Sequence, residues 1–127
     1  MKYFYCDSCF LITFYQNGYL SFLSQFKDQF YISETQLKDE LIKPSNLADL
    51  VRRSVTVIED RDEIISKTNE FIELYETLSR YDCLCMAFAI LDDYCLVTDD
   101  KALIKKCRNH NIATKTSEEI IIEFHIR

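Results

Sequence analysis

Five acidic residues stand where hydrophobic runs begin, end or turn outward: Asp7, Glu40, Asp82, Asp99 and Asp100. Asp7 closes an aromatic run at residues 2–6. Asp82 opens the run that ends near Leu91, and Asp99 and Asp100 close the short run at residues 94–98. Glu40 sits beside Leu37 and Leu41 on a helical wheel. Carboxylates gathered from four separate elements repel one another. At an effective dielectric of about 20, a pair ~5 Å apart costs roughly 3 kcal/mol. A fold that gathers them needs cations or protonated acids. Oxygen-only ligands select hard cations, which points to Mg²⁺ or Mn²⁺. Such a site, with positions left for water and a phosphate, suits metal-assisted hydrolysis of a phosphodiester.

The elements that must position these acids are legible from patterning. Residues 2–6, 29–32, 55–58, 94–98 and 111–115 read as strands by their β-branched and aromatic content. Ser8 reads as the N-cap of an apolar helix through Phe10, Leu11, Phe14 and Tyr15, broken at Asn17-Gly18, with a helical pattern resuming over residues 19–26. Ser33 caps a helix on Leu37, Leu41 and Ile42 that ends before Pro44, and residues 45–53 form a small third helix. Asp60 begins the longest helix, with Ile64, Ile65, Phe71, Ile72, Tyr75 and Leu78 inward. Residues 102–108 read as another helix, and Ser117 caps a final helix or strand through Ile122. Strands and helices alternate, and tight-turn residues are scarce, with one Gly and one Pro. The expectation is an α/β three-layer sandwich with a mostly parallel sheet of four to five strands, one domain over residues 1–127. In such sheets sites form outside the carboxyl ends of the strands, which puts Asp7, Asp99 and Asp100 on one edge.

Bulk composition narrows the classes further. At 127 residues and 48% hydrophobic the chain can bury a core, and no run approaches the ~20 apolar residues of a membrane span. Without a signal-peptide pattern the expected location is cytoplasmic, with the six cysteines reduced. A net charge of −6 argues against gripping nucleic acid by bulk charge. It leaves room for acids concentrated around cations, which invert the local field.

Four stretches together resemble the PIN domain, a small α/β ribonuclease-like fold common among toxins of bacterial toxin–antitoxin pairs. Tyr5-Cys6-Asp7-Ser8-Cys9-Phe10-Leu11-Ile12 is similar to its opening strand, Asp, Ser/Thr and apolar helix. Leu37-Lys38-Asp39-Glu40-Leu41 resembles its second-acid motif, and Asp82 with Ala87 and Ala89 its third. Leu96-Val97-Thr98-Asp99-Asp100-Lys101-Ala102-Leu103 resembles its closing motif. The departures are the cysteines Cys6, Cys9, Cys83 and Cys85 and the lack of a glycine before the fourth strand. The resemblance implies Asp7, Glu40, Asp82 and Asp100 as catalytic, metal-binding acids, with Asp99 either a fifth ligand or a capping group. It implies Mg²⁺ or Mn²⁺ as cofactor and single-stranded RNA as substrate. Ser8 and Thr98 are then polar helpers at the substrate, and Lys101, beside the acids, is the candidate for substrate phosphate. A toxin of this kind implies an antitoxin that places a basic side chain into the acidic pocket. The aromatic residues Tyr3, Phe4, Tyr5, Phe10, Phe14, Tyr15 and Tyr19 are read as a homodimer surface.

Other readings compete with these assignments. Each acid alone is explained by helix capping, and a one-residue shift would exchange Glu40 for Asp39, with Glu34 also near. Asp92-Asp93 reads as a polar helix end and His110 as an exposed loop histidine. Cys6 and Cys9 could form a redox pair at a helix start, although Pro44 is badly placed for a thioredoxin-like fold. A zinc site on Cys6, Cys9, Cys83 and Cys85 lacks a second two-residue spacing. A receiver-like phosphoacceptor domain also places strand-end acids around Mg²⁺, but it wants an acid pair where Asp7 stands alone. A non-catalytic PIN-like nucleic-acid-binding protein would keep the fold without turnover.

Overall fold

Alternation in the first strand sets the two faces of the sheet. In β1 (Phe4–Cys6), Phe4 and Cys6 enter one hydrophobic core while Tyr5 enters the other, as a period of two requires. In β4 (Cys95–Val97), Cys95 and Val97 join the first core and Leu96 the second. Both strands are buried on both faces, the signature of a parallel sheet covered by helices. The computed structural model describes residues 2–126.

The remaining strands are β2 (Phe30–Ser33), β3 (Thr56–Ile58) and β5 (Thr114–Lys115). They form one five-stranded sheet in the order β3-β2-β1-β4-β5, every pairing parallel. The expected α/β sandwich stands. The order also removes the receiver reading, whose doubly wound sheet runs 2-1-3-4-5. Here β1 lies between β2 and β4, so the chain reverses its direction of travel across the sheet at the β1/β4 boundary.

On the first face pack α1 (Ser8–Gln16), α2 (Glu34–Glu40), α3 (Leu47–Ser54) and α7 (Ser117–Glu123), through Phe10, Leu11, Phe14, Leu37, Leu47, Val51 and Ile120. A 3-10 segment, Leu20–Gln29, adds Leu20 and Leu23. On the other face lie α4 (Asp62–Leu74), α5 (Arg80–Asp92) and α6 (Lys101–Arg108). Their cores are Ile64, Phe71, Cys83 to Ala89, Leu103 and Cys107. Phe88 stacks on Tyr5 with ring centroids 4.9 Å apart, joining α5 to the central strand.

Several expectations need correcting. Phe4, Tyr5, Phe10 and Phe14 have no exposed surface, so the aromatic run builds the core and offers no dimer surface through them. The long helix stops at Leu74, and Ile65 and Ile72 turn outward while Ile64, Thr68 and Phe71 form its buried face. Capping is shifted by one residue at two starts: Asp7, not Ser8, is the N-cap of α1, and Thr116, not Ser117, caps α7. His110 is half-buried, edge-on to Phe71, with Nε2 2.6 Å from the Tyr75 hydroxyl.

Candidate active site

The β1/β4 crevice is the topological switch point, where ligands of open parallel sheets bind beyond the carboxyl ends of the strands. Asp7 follows β1 directly, and its backbone N–H donates to the Val97 carbonyl at 2.9 Å, pinning the acid beside the end of β4. Its side chain is 4% exposed. The Thr98 hydroxyl, fully buried, accepts from the Asp100 amide (3.1 Å) and donates to Asp7 Oδ2 (2.8 Å). One threonine thus fixes two of the predicted acids relative to each other.

Glu40 arrives from the last residue of α2. The buried Ser8 hydroxyl donates to its Oε1 at 2.9 Å, and Gln36 Nε2 donates to the same oxygen at 3.0 Å. Its neighbours are committed elsewhere: Asp39 accepts from the Tyr81 hydroxyl, and Glu34 pairs with Arg52 and Lys38. Of the three, Glu40 is the one whose carboxylate is bonded to Ser8, the residue next to Asp7. Asp82 enters from the first turn of α5, held by a capping box in which Ser79 Oγ accepts from the Asp82 amide and Asp82 Oδ2 accepts from the Ser79 amide. Asp100 is the N-cap of α6, with Oδ1 accepting from Ala102 and Leu103.

Electrostatics show that these acids share one neighbourhood. Burial pushes the Asp7 carboxyl up to about 6, with the charges of Asp82 and Glu40 pushing the same way against the Thr98 hydrogen bond. Burial also raises Glu40, helped by Asp82 and Asp39, and raises Asp82, helped by Asp100. The exposed thiol of Cys9 is pushed to about 11, by partial burial first and then by all four of Asp7, Glu40, Asp82 and Asp100. No ion pair among the described residues involves any of these four acids.

Asp99 turns away from this group. Its two carboxylate oxygens accept from the amide and hydroxyl of Ser117, at the start of α7. Its carboxylate is thereby bonded to the first residue of α7. The hydroxyls of Ser8 and Thr98 are both buried and donate to Glu40 and Asp7 respectively. Lys101 is exposed as the first residue of α6, adjoining Asp100, and forms no ion pair among the described residues. Sequence reading missed Arg80, which occupies the same first position on α5, next but one to Asp82.

The donor set fits a hard divalent cation in its chemistry. Each acid anchors one oxygen on the protein, while Asp7 Oδ1, Glu40 Oε2, Asp82 Oδ1 and Asp100 Oδ2 accept no hydrogen bond of ordinary geometry among the described residues. Among those residues no three Asp, Glu, Cys or His groups converge at ligating distance, and Asp82 and Asp100 each hold a capping position at their own helix end. The thiol readings lose support: burial drives Cys6 far up and Cys9 is raised as well, whereas a reactive pair needs a lowered thiol.

The sheet order and the four-element acid edge define a PIN-like fold. Among solved structures the chain is similar to PAE2754 from Pyrobaculum aerophilum, with a TM-score of 0.68 and 16% identity over 98% of this chain and 96% of that one. It is also similar to VapBC-1 from nontypeable Haemophilus influenzae, with a TM-score of 0.63 and 13% identity over 93% of this chain and 99% of that one. No protein-family profile matches the sequence, and no curated protein matches it.

Proposed function

We propose that this chain is a metal-dependent endoribonuclease that hydrolyses phosphodiester bonds of single-stranded RNA, and that it acts as the toxin of a toxin–antitoxin pair. One observation carries the reading. Asp7, Glu40, Asp82 and Asp100, from four elements, gather at the switch point with no ion pair among the described residues, and burial first, then the charges of Asp82 and Glu40, pushes the Asp7 carboxyl up to about 6. The likeness to VapBC-1 supports the toxin half of the proposal.

In this reading Asp7, Glu40, Asp82 and Asp100 hold Mg²⁺ or Mn²⁺, which when bound supplies an activated water and a Lewis acid for the leaving oxygen. Thr98 and Ser8 keep Asp7 and Glu40 in register through their hydrogen bonds. Lys101 and Arg80, each on the first turn of a helix starting at this edge, attract the RNA backbone where helix N-termini also favour phosphate. An acidic pocket of this kind suits an antitoxin that inserts a Lys or Arg. A homodimer, if formed, uses a surface other than the buried aromatics.

A cavity of about 400 Å³ lined by Tyr15, Leu20, Leu50 and Arg53 includes none of the four acids, so a small-molecule site there would be unrelated to this chemistry. The non-catalytic PIN-like reading draws on the helix-end commitments of Asp82 and Asp100. The two readings separate on Mn²⁺-dependent cleavage of single-stranded RNA by the purified chain. Cleavage that vanishes in chelator and in Asp7→Asn and Asp100→Asn, with circular dichroism unchanged, supports the nuclease. Equal cleavage in both variants, or in chelator, overturns it.

A further inference from the structure

A buried hydrogen-bond chain runs from the backbone of β2 to the edge of the site. The Ser33 amide donates to the Tyr5 phenol oxygen at 3.1 Å, and the Tyr5 hydroxyl donates to Gln36 Oε1 at 2.8 Å. Gln36 Nε2 then donates to Glu40 Oε1 at 3.0 Å. Both Tyr5 and Gln36 have no exposed surface. The polarity of this chain is forced. A backbone N–H can only donate, so the phenol oxygen accepts there and keeps its proton for the glutamine, while an ionised Glu40 at the other end can only accept. Gln36 must therefore turn its carbonyl to Tyr5 and its NH₂ to Glu40, and its amide has a single allowed orientation. The Cys85 thiol, 3.5 Å from both ends of that amide, satisfies it further without changing the direction.

Packing alone does not call for this residue. Gln36 occupies an interior position of α2, beside the core residue Leu37 and against the apolar helix α5, where an aliphatic side chain would bury as well. A fully buried amide at such a place is tolerated only when all its groups are bonded, as they are here. We infer that Gln36, oriented by Tyr5, is a positioning residue for Glu40: it holds Oε1 in place and leaves Oε2 as the oxygen offered to a divalent cation. The inference rests on the nuclease reading of the same site. Ser8 supplies the second hold on Oε1 from α1, so Glu40 is fixed from two elements before any ligand arrives. Fixing outer partners in this way tunes a ligand's affinity for metal.

The test is Mn²⁺ binding to the full chain, read from loss of the free-ion electron paramagnetic resonance signal, alongside thermal melting. Gln36→Met keeps the volume and removes the amide, and Tyr5→Phe keeps the stack on Phe88 and removes the hydroxyl. Expected results are weakening of about tenfold for Gln36→Met and about threefold for Tyr5→Phe. The double variant should bind no more weakly than Gln36→Met alone, because both act through one chain. Saturating Mn²⁺ should restore the cleavage rate of Gln36→Met, leaving the change in metal requirement. If wild type binds Mn²⁺ and both folded variants bind as tightly, the positioning role is overturned and the nuclease reading survives. If wild type binds no Mn²⁺, both fall. Should Gln36→Met fail to fold, Tyr5→Phe decides alone, by binding more weakly or as tightly as wild type.

Discussion

The two ends of α2 treat the same residue type in opposite ways. Glu34, the first residue, lies where the helix dipole favours an anion, and it takes the Arg52 guanidinium at 2.6 Å and Lys38 at 3.4 Å. Those partners hold its carboxyl below the usual range, with the Arg52 hydrogen bond foremost. Glu40, the last residue, sits where the dipole disfavours an anion. It receives a hydroxyl and an amide but no cation among the described residues, and burial raises its carboxyl. A sequence selected only for stability would place a cation at that end. The acid without an ion pair among the described residues is the one bonded to Ser8, beside Asp7 at the switch point of the sheet.

The largest effect that can break this contrast is at Asp7. Asp7→Asn should reduce Mn²⁺-dependent RNA cleavage by about a thousandfold or more, in the range of rate losses seen when machinery of the active centre is removed, while stabilising the protein at pH 7. The raised native carboxyl contributes stability that is fully present below the unfolded value near 4. That contribution is lost as pH rises through about 6. Asparagine removes the cost of ionising there, so urea denaturation should show a gain of roughly 2–3 kcal/mol at pH 7 and almost none at pH 4. A loss of stability at pH 7 would mean that Asp7 is a structural acid like Glu34.

Thr98→Val comes next. It strips the one side-chain donor from Asp7 and leaves the Asp100 amide unmet. The expected loss is about 1–3 kcal/mol in denaturant at pH 7, together with a fall in cleavage. Asp99→Ala should cost about 1 kcal/mol through the Ser117 contacts and leave cleavage within about twofold, which separates it from Asp100→Ala. Glu34→Gln is the smallest, under ~1 kcal/mol and shrinking in 1 M salt, with cleavage unchanged. Parallel behaviour of Glu34→Gln and Glu40→Gln would erase the contrast altogether.

Much of this was legible in the sequence because the acids punctuate apolar runs. Asp7 and Asp100 could be placed at strand ends, since strand and helix patterns change period beside them. The parallel sheet followed from alternating elements with one glycine and one proline. What escaped depends on partners remote in the chain. Nothing near Asp99 shows that it will meet Ser117, eighteen residues on. Thr98 and Ser8 look like surface hydroxyls until the β1/β4 pairing and the approach of α2 bury them. The helix end at Leu74 carries no glycine or proline, so its apolar spacing continues past the break. Gln36 left a local clue, lying four residues before Glu40 on the same helical face. Its orientation by Tyr5 arises only from the pairing of β1 with β2.

Cys9 gives the site a built-in reporter. The other five thiols are buried, so a maleimide or disulfide reagent applied to the folded chain modifies one position. Partial burial first, and then the acids around it, suppress its thiolate, making alkylation at neutral pH slow. A cation entering among those carboxylates would offset the acids' share of that shift, so the labelling rate should rise as the acidic edge fills, with no substrate present.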